Sequence, residues 1–287
     1  MSAIARLVLK SFFSTLLLLA CAFPPTPKRR VAAVSNGTLL FLGNGPSLTI
    51  DLQNVEPHEY DSIAVVNHFA ATSLFVELKP SLYFLQDTYW FLGGRLGDRE
   101  SKVIESLAND VDWPLTLFVP SKNIQSDSIR RVQQNLNIRV RSMRTSLFSY
   151  VTHASFLGIL DEMWLFRLWR AGFLSPPMEN IVATGIFNAH RLGFGKLLVC
   201  GLDMSMMAGL GLDSNRKVTF TNDHFYGEEK LQGLGPQGSD RVMSDNIFSI
   251  ARKFRLFDLL GRYFRWDSFK VVNLTAASHL DSFRFRD

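Results

Sequence analysis

The sequence predicts an α/β fold of Rossmann-like type: a mostly parallel sheet with helices on both faces and a long lid segment. Three observations predict it. Apolar runs such as LLFLG, IAVV and LLVCG are continuous rather than alternating, which suits strands buried on both faces. Segments of helical period separate them, and strand–helix alternation is the signature of a parallel α/β sheet. Finally, 287 residues, 47% of them hydrophobic, suffice for one large core plus a small appended piece.

The expected strands are Thr38–Gly43, Ser62–Asn67, Leu82–Gln86, Leu115–Pro120, Ile138–Arg141, Lys196–Asp203 and Lys270–Leu274. The expected helices are Phe69–Leu78, Arg99–Ala108, Ser126–Asn135, Ala154–Ala171 and Ile181–Arg191. A last one, Asp245–Tyr263, carries Ile247, Ile250, Ala251, Phe254, Phe257 and Leu260 at 3-to-4 spacing, with Ser244 as its cap. The glycine-rich stretch of about 204–242 breaks the alternation and reads as a loop or lid.

The division expected is residues 1–30 as a membrane-associating or signal-like segment with a basic hinge, and 31–287 as the Rossmann-like domain. Ser11 to Phe23 is an uncharged run between Lys10 and Lys28-Arg29-Arg30, shorter than the roughly 20 residues that span a bilayer. A signal peptide ending near Leu18-Leu19-Ala20-Cys21, an anchor, and a membrane-surface helix all fit it. Segments 156–174 and 251–266 mix aromatic and basic residues and fit either core helices or a membrane surface. The net charge of +5 suits anionic partners such as nucleotides, but is too small to point to nucleic acid. Two cysteines, Cys21 and Cys200, exclude a disulfide framework or a cysteine-built zinc site.

Ligands of open α/β sheets sit beyond the carboxyl ends of the strands. FLGNGPSL places Gly43, Asn44, Gly45 and Ser47 there: glycines for a tight turn and close approach, an amide that donates and accepts, a capping hydroxyl, and backbone amides suited to phosphate. A plain strand-ending turn would look the same, and Leu48 stands where a dinucleotide fingerprint has its third glycine. Other strands also end in polar residues: Asn67 and His68, Gln86 and Asp87, Gly201 and Asp203. Four polar tips would converge on one rim. In the lid, TNDHFYG brings His224, a side chain able to take a proton near neutrality, and Tyr226, able to bind a phosphate oxygen. A surface-loop histidine is the plainer alternative. His190 reads as structural, and His58 and His153 have no polar company. No His and carboxylate cluster has metal-ligand spacing, so no metal is expected and no cofactor beyond a donor substrate.

GNGPSL, VNHF, SLYFLQD and NIVATGIFNAHRLGFGKLLVCGLD follow in an order that resembles two related groups. One is the bacterial sialyltransferases of glycosyltransferase family 42. The other is a set of domains similar to the archaeal 6-hydroxymethylpterin pyrophosphokinase and the motility-associated glycosyltransferases. VDWPLTLFVP, DHFYG and VVNLTAASHLDSF resemble members of surface-polysaccharide gene clusters, and the resemblance spans roughly 38–285.

The resemblance implies a nucleotide-activated donor, such as a CMP-sugar carrying sialic acid or a related sugar, under a closing lid. It implies donor contacts from Asn44, Asn67 and the Gln86-Asp87 tip, with Asn180-Ile181 where the sialyltransferases have a Thr-Ser pair. A lid histidine as base falls on His224 by role. Transfer by direct, metal-independent displacement to a surface-glycan or lipid-linked acceptor is the resulting expectation. Because nucleotide donors are made in the cytoplasm, the expected location is the cytoplasmic face of the inner membrane. The chain would be peripheral there or anchored by its N-terminal segment, with association of copies left open. Two alternatives stand beside it: an ATP-dependent diphosphokinase of the hydroxymethylpterin type recruiting Asp87 and Asp203 for magnesium, and a non-catalytic scaffold in polysaccharide assembly.

Overall fold

The computed structural model describes residues 36–91, 96–143, 162–232 and 242–286. The N-terminal segment, His153, the first part of the expected helix Ala154–Ala171 and part of the lid lie outside them.

All seven expected strands form: β1 (Thr38–Leu42), β2 (Ser62–Val66), β3 (Leu82–Phe84), β4 (Leu115–Pro120), β5 (Ile138–Met143), β6 (Lys196–Cys200) and β10 (Lys270–Asn273). With the short β11 (Arg284–Phe285) they make one eight-stranded sheet in the order β11-β10-β6-β1-β2-β3-β4-β5, every pair parallel. The chain runs outward from β1 to β5, then returns to place β6 on the other side of β1. The β1/β6 boundary is therefore the point at which the strand order reverses.

The period-2 alternation of the buried strands sorts their side chains into two cores. Leu39, Phe41, Ala64, Val66 and Phe84 face α5 (Glu162–Ala171), α6 (Ile181–Leu192) and α7 (Met243–Trp266). Leu40, Leu42, Val65, Tyr83 and Leu117 face α1 (Leu48–Gln53), α2 (Leu74–Leu78), α3 (Asp98–Asn109) and α4 (Asp127–Val132). Sheet and helices together make an α/β, Rossmann-like fold with both faces covered.

Three expectations are corrected. Helix α1, absent from the expected helices, arises directly after GNGPS with Ser47 at its cap position but without the side-chain cap expected of it. The cap position of α7 is Val242, so Ser244 lies inside the helix. Part of the lid is not loop: β7 (Leu210–Leu212), β8 (Val218–His224) and β9 (Gly227–Gln232) form a small antiparallel sheet. VTFTNDH has the β-branched and aromatic residues of a strand, but its flanking glycines mask the signal.

Among the described residues no helix is long and apolar enough to cross a membrane. The described parts of both aromatic-basic segments contribute core helices. Leu165, Phe166 and Trp169 of α5 and Leu256, Phe257 and Leu260 of α7 are buried in the same cluster.

Candidate active site at the strand-order reversal

At the reversal point the backbones after β1 and β6 touch. The Gly43 amide donates to the Cys200 carbonyl at 2.8 Å, and the Gly45 amide donates to the Gly201 carbonyl at 2.9 Å. A Cβ on Gly45 would overlap the Asp203 carboxylate and stand 2.7 Å from the Gly201 oxygen. These glycines thus allow two strand ends to approach each other, and their amides are engaged within the protein rather than turned toward an anion.

Beneath the turn lies a polar network that the sequence only half disclosed. The Asp51 Oδ2 accepts from the Gly201 amide at 2.8 Å, the Thr275 hydroxyl at 2.6 Å and the Ser47 hydroxyl at 3.0 Å. Ser47 stands at the cap position of α1 yet makes no side-chain cap; its hydroxyl also lies 2.9 Å from the Asp203 Oδ2. One hydroxyl proton cannot serve two carboxylates. Burial, first among several causes, pushes the Asp203 carboxyl above its ordinary value, and the Ser47 hydroxyl stands between it and Asp51. Ser47-x-x-x-Asp51 is the signal that could have revealed Asp51, since that spacing puts both residues on one helix face. Thr275 and Ser278, whose hydroxyl donates to the Leu202 carbonyl at 2.5 Å, had no such signal.

Neighbouring strand tips carry the remaining residues. The β1–β2 register sets Leu42 opposite Val65, and Asn44 and Asn67 follow the ends of these two neighbouring strands. The Oδ1 atoms of both asparagines are buried and have no hydrogen-bond partner among the described residues. Asn67 has a left-handed backbone, φ 49°, and its carbonyl accepts from the buried Tyr83 hydroxyl. Next to it, His68 places Nε2 2.9 Å from the Glu100 Oε1.

The β8–β9 hairpin crosses these two tips. Its two-residue turn is Phe225-Tyr226, closed by Gly227 at φ +121°, a conformation that favours glycine. The Phe225 amide donates to the Asn44 carbonyl at 3.2 Å, the Phe225 ring packs 5.5 Å from Phe69, and the Tyr226 hydroxyl lies 3.4 Å from the His68 Nδ1. His224 sits 3.2 Å through Nδ1 from the same Asn44 carbonyl and stacks on Tyr226 at 4.9 Å. A carbonyl oxygen only accepts, so Nδ1 carries the proton and the neutral ring keeps its lone pair on Nε2. This is the tautomer a general base needs.

Gln86 and Asn180 both serve the scaffold and are linked through the Thr184 hydroxyl, which lies 2.7 Å from the Gln86 Oε1 and 3.0 Å from the Asn180 carbonyl. Gln86 donates to the Met178 carbonyl at 2.8 Å and accepts from Thr184 at 2.7 Å. The Asn180 Oδ1 caps α6, accepting from the Val182 and Ala183 amides at 2.9 and 3.1 Å. Asp87, at the tip of β3, lies 3.4 Å from the Tyr89 hydroxyl. Between β3 and β6 stand β2 and β1, so Asp87 and Asp203 start from tips roughly 14 Å apart, too far to share one magnesium ion without rearrangement. Among the described residues no three metal-ligating side chains gather. His190 pairs with Asp267 at 2.8 Å, away from the strand tips, and His58 is exposed. A cavity of about 610 Å³ lies between the small sheet and α7, lined by Met207, Leu210, Ile250, Ala251 and Phe254 among others.

No protein-family model and no curated protein matches the sequence. Among solved structures, the sialyltransferase CstII from Campylobacter jejuni in complex with the substrate analogue CMP-3FNeuAc is similar at 12% identity. That likeness covers 87% of this chain and 85% of the other, with a TM-score of 0.44. The apo form of an alpha-2,3-sialyltransferase from the same organism is similar at 14% identity, over 91% of this chain and 84% of that one, with a TM-score of 0.44. At these values the functional reading has to rest on the residues of the site.

Proposed function

We propose that the chain is a glycosyltransferase that takes a nucleotide-activated sugar at the β1/β2/β6 strand tips and transfers the sugar to an acceptor hydroxyl. One observation carries the reading. His224, with its lone pair on Nε2, is held by the backbone of Asn44, whose own side-chain oxygen is buried without a partner among the described residues. A base held against a turn that carries an unsatisfied binding group suits a bound donor beside a hydroxyl to be deprotonated.

In this reading the Oδ1 atoms of Asn44 and Asn67 accept from donor groups of the nucleotide or sugar. Gly43, Gly45, Ser47, Gly201 and Asp203 hold the Asn44 turn in place, and Gln86 and Asn180 hold the start of α6 against β3. The acceptor oxygen attacks the anomeric carbon as its proton passes to the His224 Nε2. The bond from that carbon to the phosphate oxygen breaks, and the leaving phosphate carries away the electron pair, steadied by a hydrogen bond from Tyr226. A CMP-activated donor is the specific form favoured by the sequence resemblance. For the acceptor we favour a glycan or lipid-linked glycan; the cavity joins a mostly apolar lining, including the exposed Met207 and Ile247, to Arg255, Asp258 and Asp281, and suits an acceptor with both an apolar and a polar portion.

A thermal-shift screen against CMP-, UDP-, GDP- and adenine nucleotides tests the binding half. A nucleotide present at 100 times its dissociation constant adds about 2.7 kcal/mol of stability. No shift with any of them, together with no donor hydrolysis, would overturn the reading.

A further inference from the structure

We propose that Glu100 is a positioning residue for Tyr226, acting through His68, and that the three side chains decide whether Tyr226 offers a proton or a lone pair to a phosphate in the site. The proposal rests on the nucleotide reading and adds a group and a control that this reading does not contain.

The geometry is a chain of three. The Glu100 carboxylate lies 2.9 Å from the His68 Nε2, and the His68 Nδ1 lies 3.4 Å from the Tyr226 oxygen. An ionised carboxylate only accepts, so Nε2 carries a proton. What Nδ1 does then depends on the charge of the ring. In the neutral ring Nδ1 is a lone pair and accepts the phenolic proton, so Tyr226 presents only lone pairs outward and repels a phosphate oxygen. In the imidazolium form Nδ1–H donates to the Tyr226 oxygen, and the phenolic O–H turns outward to donate to the phosphate. No covalent bond other than that to the titrating proton changes. The carboxylate fixes a proton on Nε2, and the ring's other nitrogen directs the phenol.

The surroundings hold the chain in register. His68 is buried between aromatic rings, with Trp90 at 4.9 Å, Tyr89 stacked at 6.2 Å and Tyr226 edge-on at 5.8 Å. Such walls leave the imidazole little freedom to turn. The titratable groups against it are Glu100 from α3, Tyr89 from the turn after β3 and Tyr226 from the hairpin; Asp87 reaches the cluster through Tyr89, and Arg99 and His224 reach it through Tyr226. Arg99 sits over the Tyr226 ring with its guanidinium carbon 5.0 Å from the centroid, which helps hold the phenol beside His68.

The test has two arms on the full chain. In the first, the imidazole nitrogens are labelled with ¹⁵N and read by NMR without ligand. The expected result is a proton on the His68 Nε2 at pH 8, a changed Nδ1 signal in Tyr226→Phe, and loss of the Nε2 preference in Glu100→Ala, with Glu100→Asp intermediate. In the second, CMP affinity is measured calorimetrically from pH 5.5 to 8.5. Wild-type affinity should fall about tenfold more than the titration of the nucleotide phosphate alone predicts, one hydrogen bond to a charged group being worth about that much. Glu100→Gln should move this fall to lower pH, and Tyr226→Phe should remove it. Identical pH profiles in all three proteins would overturn the proposal. Should CMP bind none of them, the CMP reading fails, and the NMR arm alone decides the relay: a His68 ring indifferent to both substitutions would end it.

Discussion

The Nδ1 atom of His224 lies 3.2 Å from the main-chain oxygen of Asn44, although 180 residues separate the two in sequence. In the proposed reading the contact ties the base to the turn that binds the donor, so the two functions would share one anchor. Replacing His224 by alanine should lower transfer about 10²- to 10⁴-fold, the usual contribution of a general base, while nucleotide-induced thermal stabilisation stays near the wild-type value. Wild-type turnover in that variant would remove His224 from the mechanism.

Asn44 and Asn180 should answer the same substitution in opposite ways. Asn180→Ala removes a helix cap and should cost about 1 kcal/mol by urea denaturation, with nucleotide binding retained. Asn44→Ala removes a buried oxygen that has no partner among the described residues, so stability without ligand should change by less than about 1 kcal/mol while the nucleotide shift disappears.

Gly45 tests the close approach of β1 and β6. Its Cβ would meet the Asp203 carboxylate and the Gly201 carbonyl, the second of them rigid backbone. Gly45→Ala should therefore destabilise the protein by about 3 kcal/mol, measured by denaturant melts; a neutral result would mean that the turn can slide away from β6.

Asp203 should leave a signature in the pH dependence of stability. Burial raises its folded value above the unfolded one, so the folded protein holds the proton more tightly. That stabilising contribution is complete below the ordinary aspartate value of about 3.9 and is lost as the pH rises through the raised folded value. Asp203→Asn keeps a neutral donor beside Ser47. It should flatten stability over this window and raise it at pH 7; an unchanged slope would mean that another group titrates there.

The strands were legible because burial on both faces forces continuous apolar runs, and IAVV or LLVCG admits few other readings. The β8 strand was harder to see. Its side chains meet a small sheet and solvent rather than a deep core, so no such run marks it. Glu100 was invisible for a different reason. In the sequence it is one acid in the first turn of an amphipathic helix, where acids are favoured by the helix dipole whatever else they do.

From residue order alone came the strand–helix alternation, the polar tips of the strands and the company of His224 and Tyr226, all of which follow from local pattern and short spacing. Tertiary structure alone decided which tips are neighbours, that Asn180 closes a helix, that Asp51 bridges three segments, and that the hairpin turn lands on Asn44 and His68. Those outcomes depend on strand order and on hydrogen bonds between residues far apart in the chain, and neither leaves a periodic trace in the amino-acid sequence.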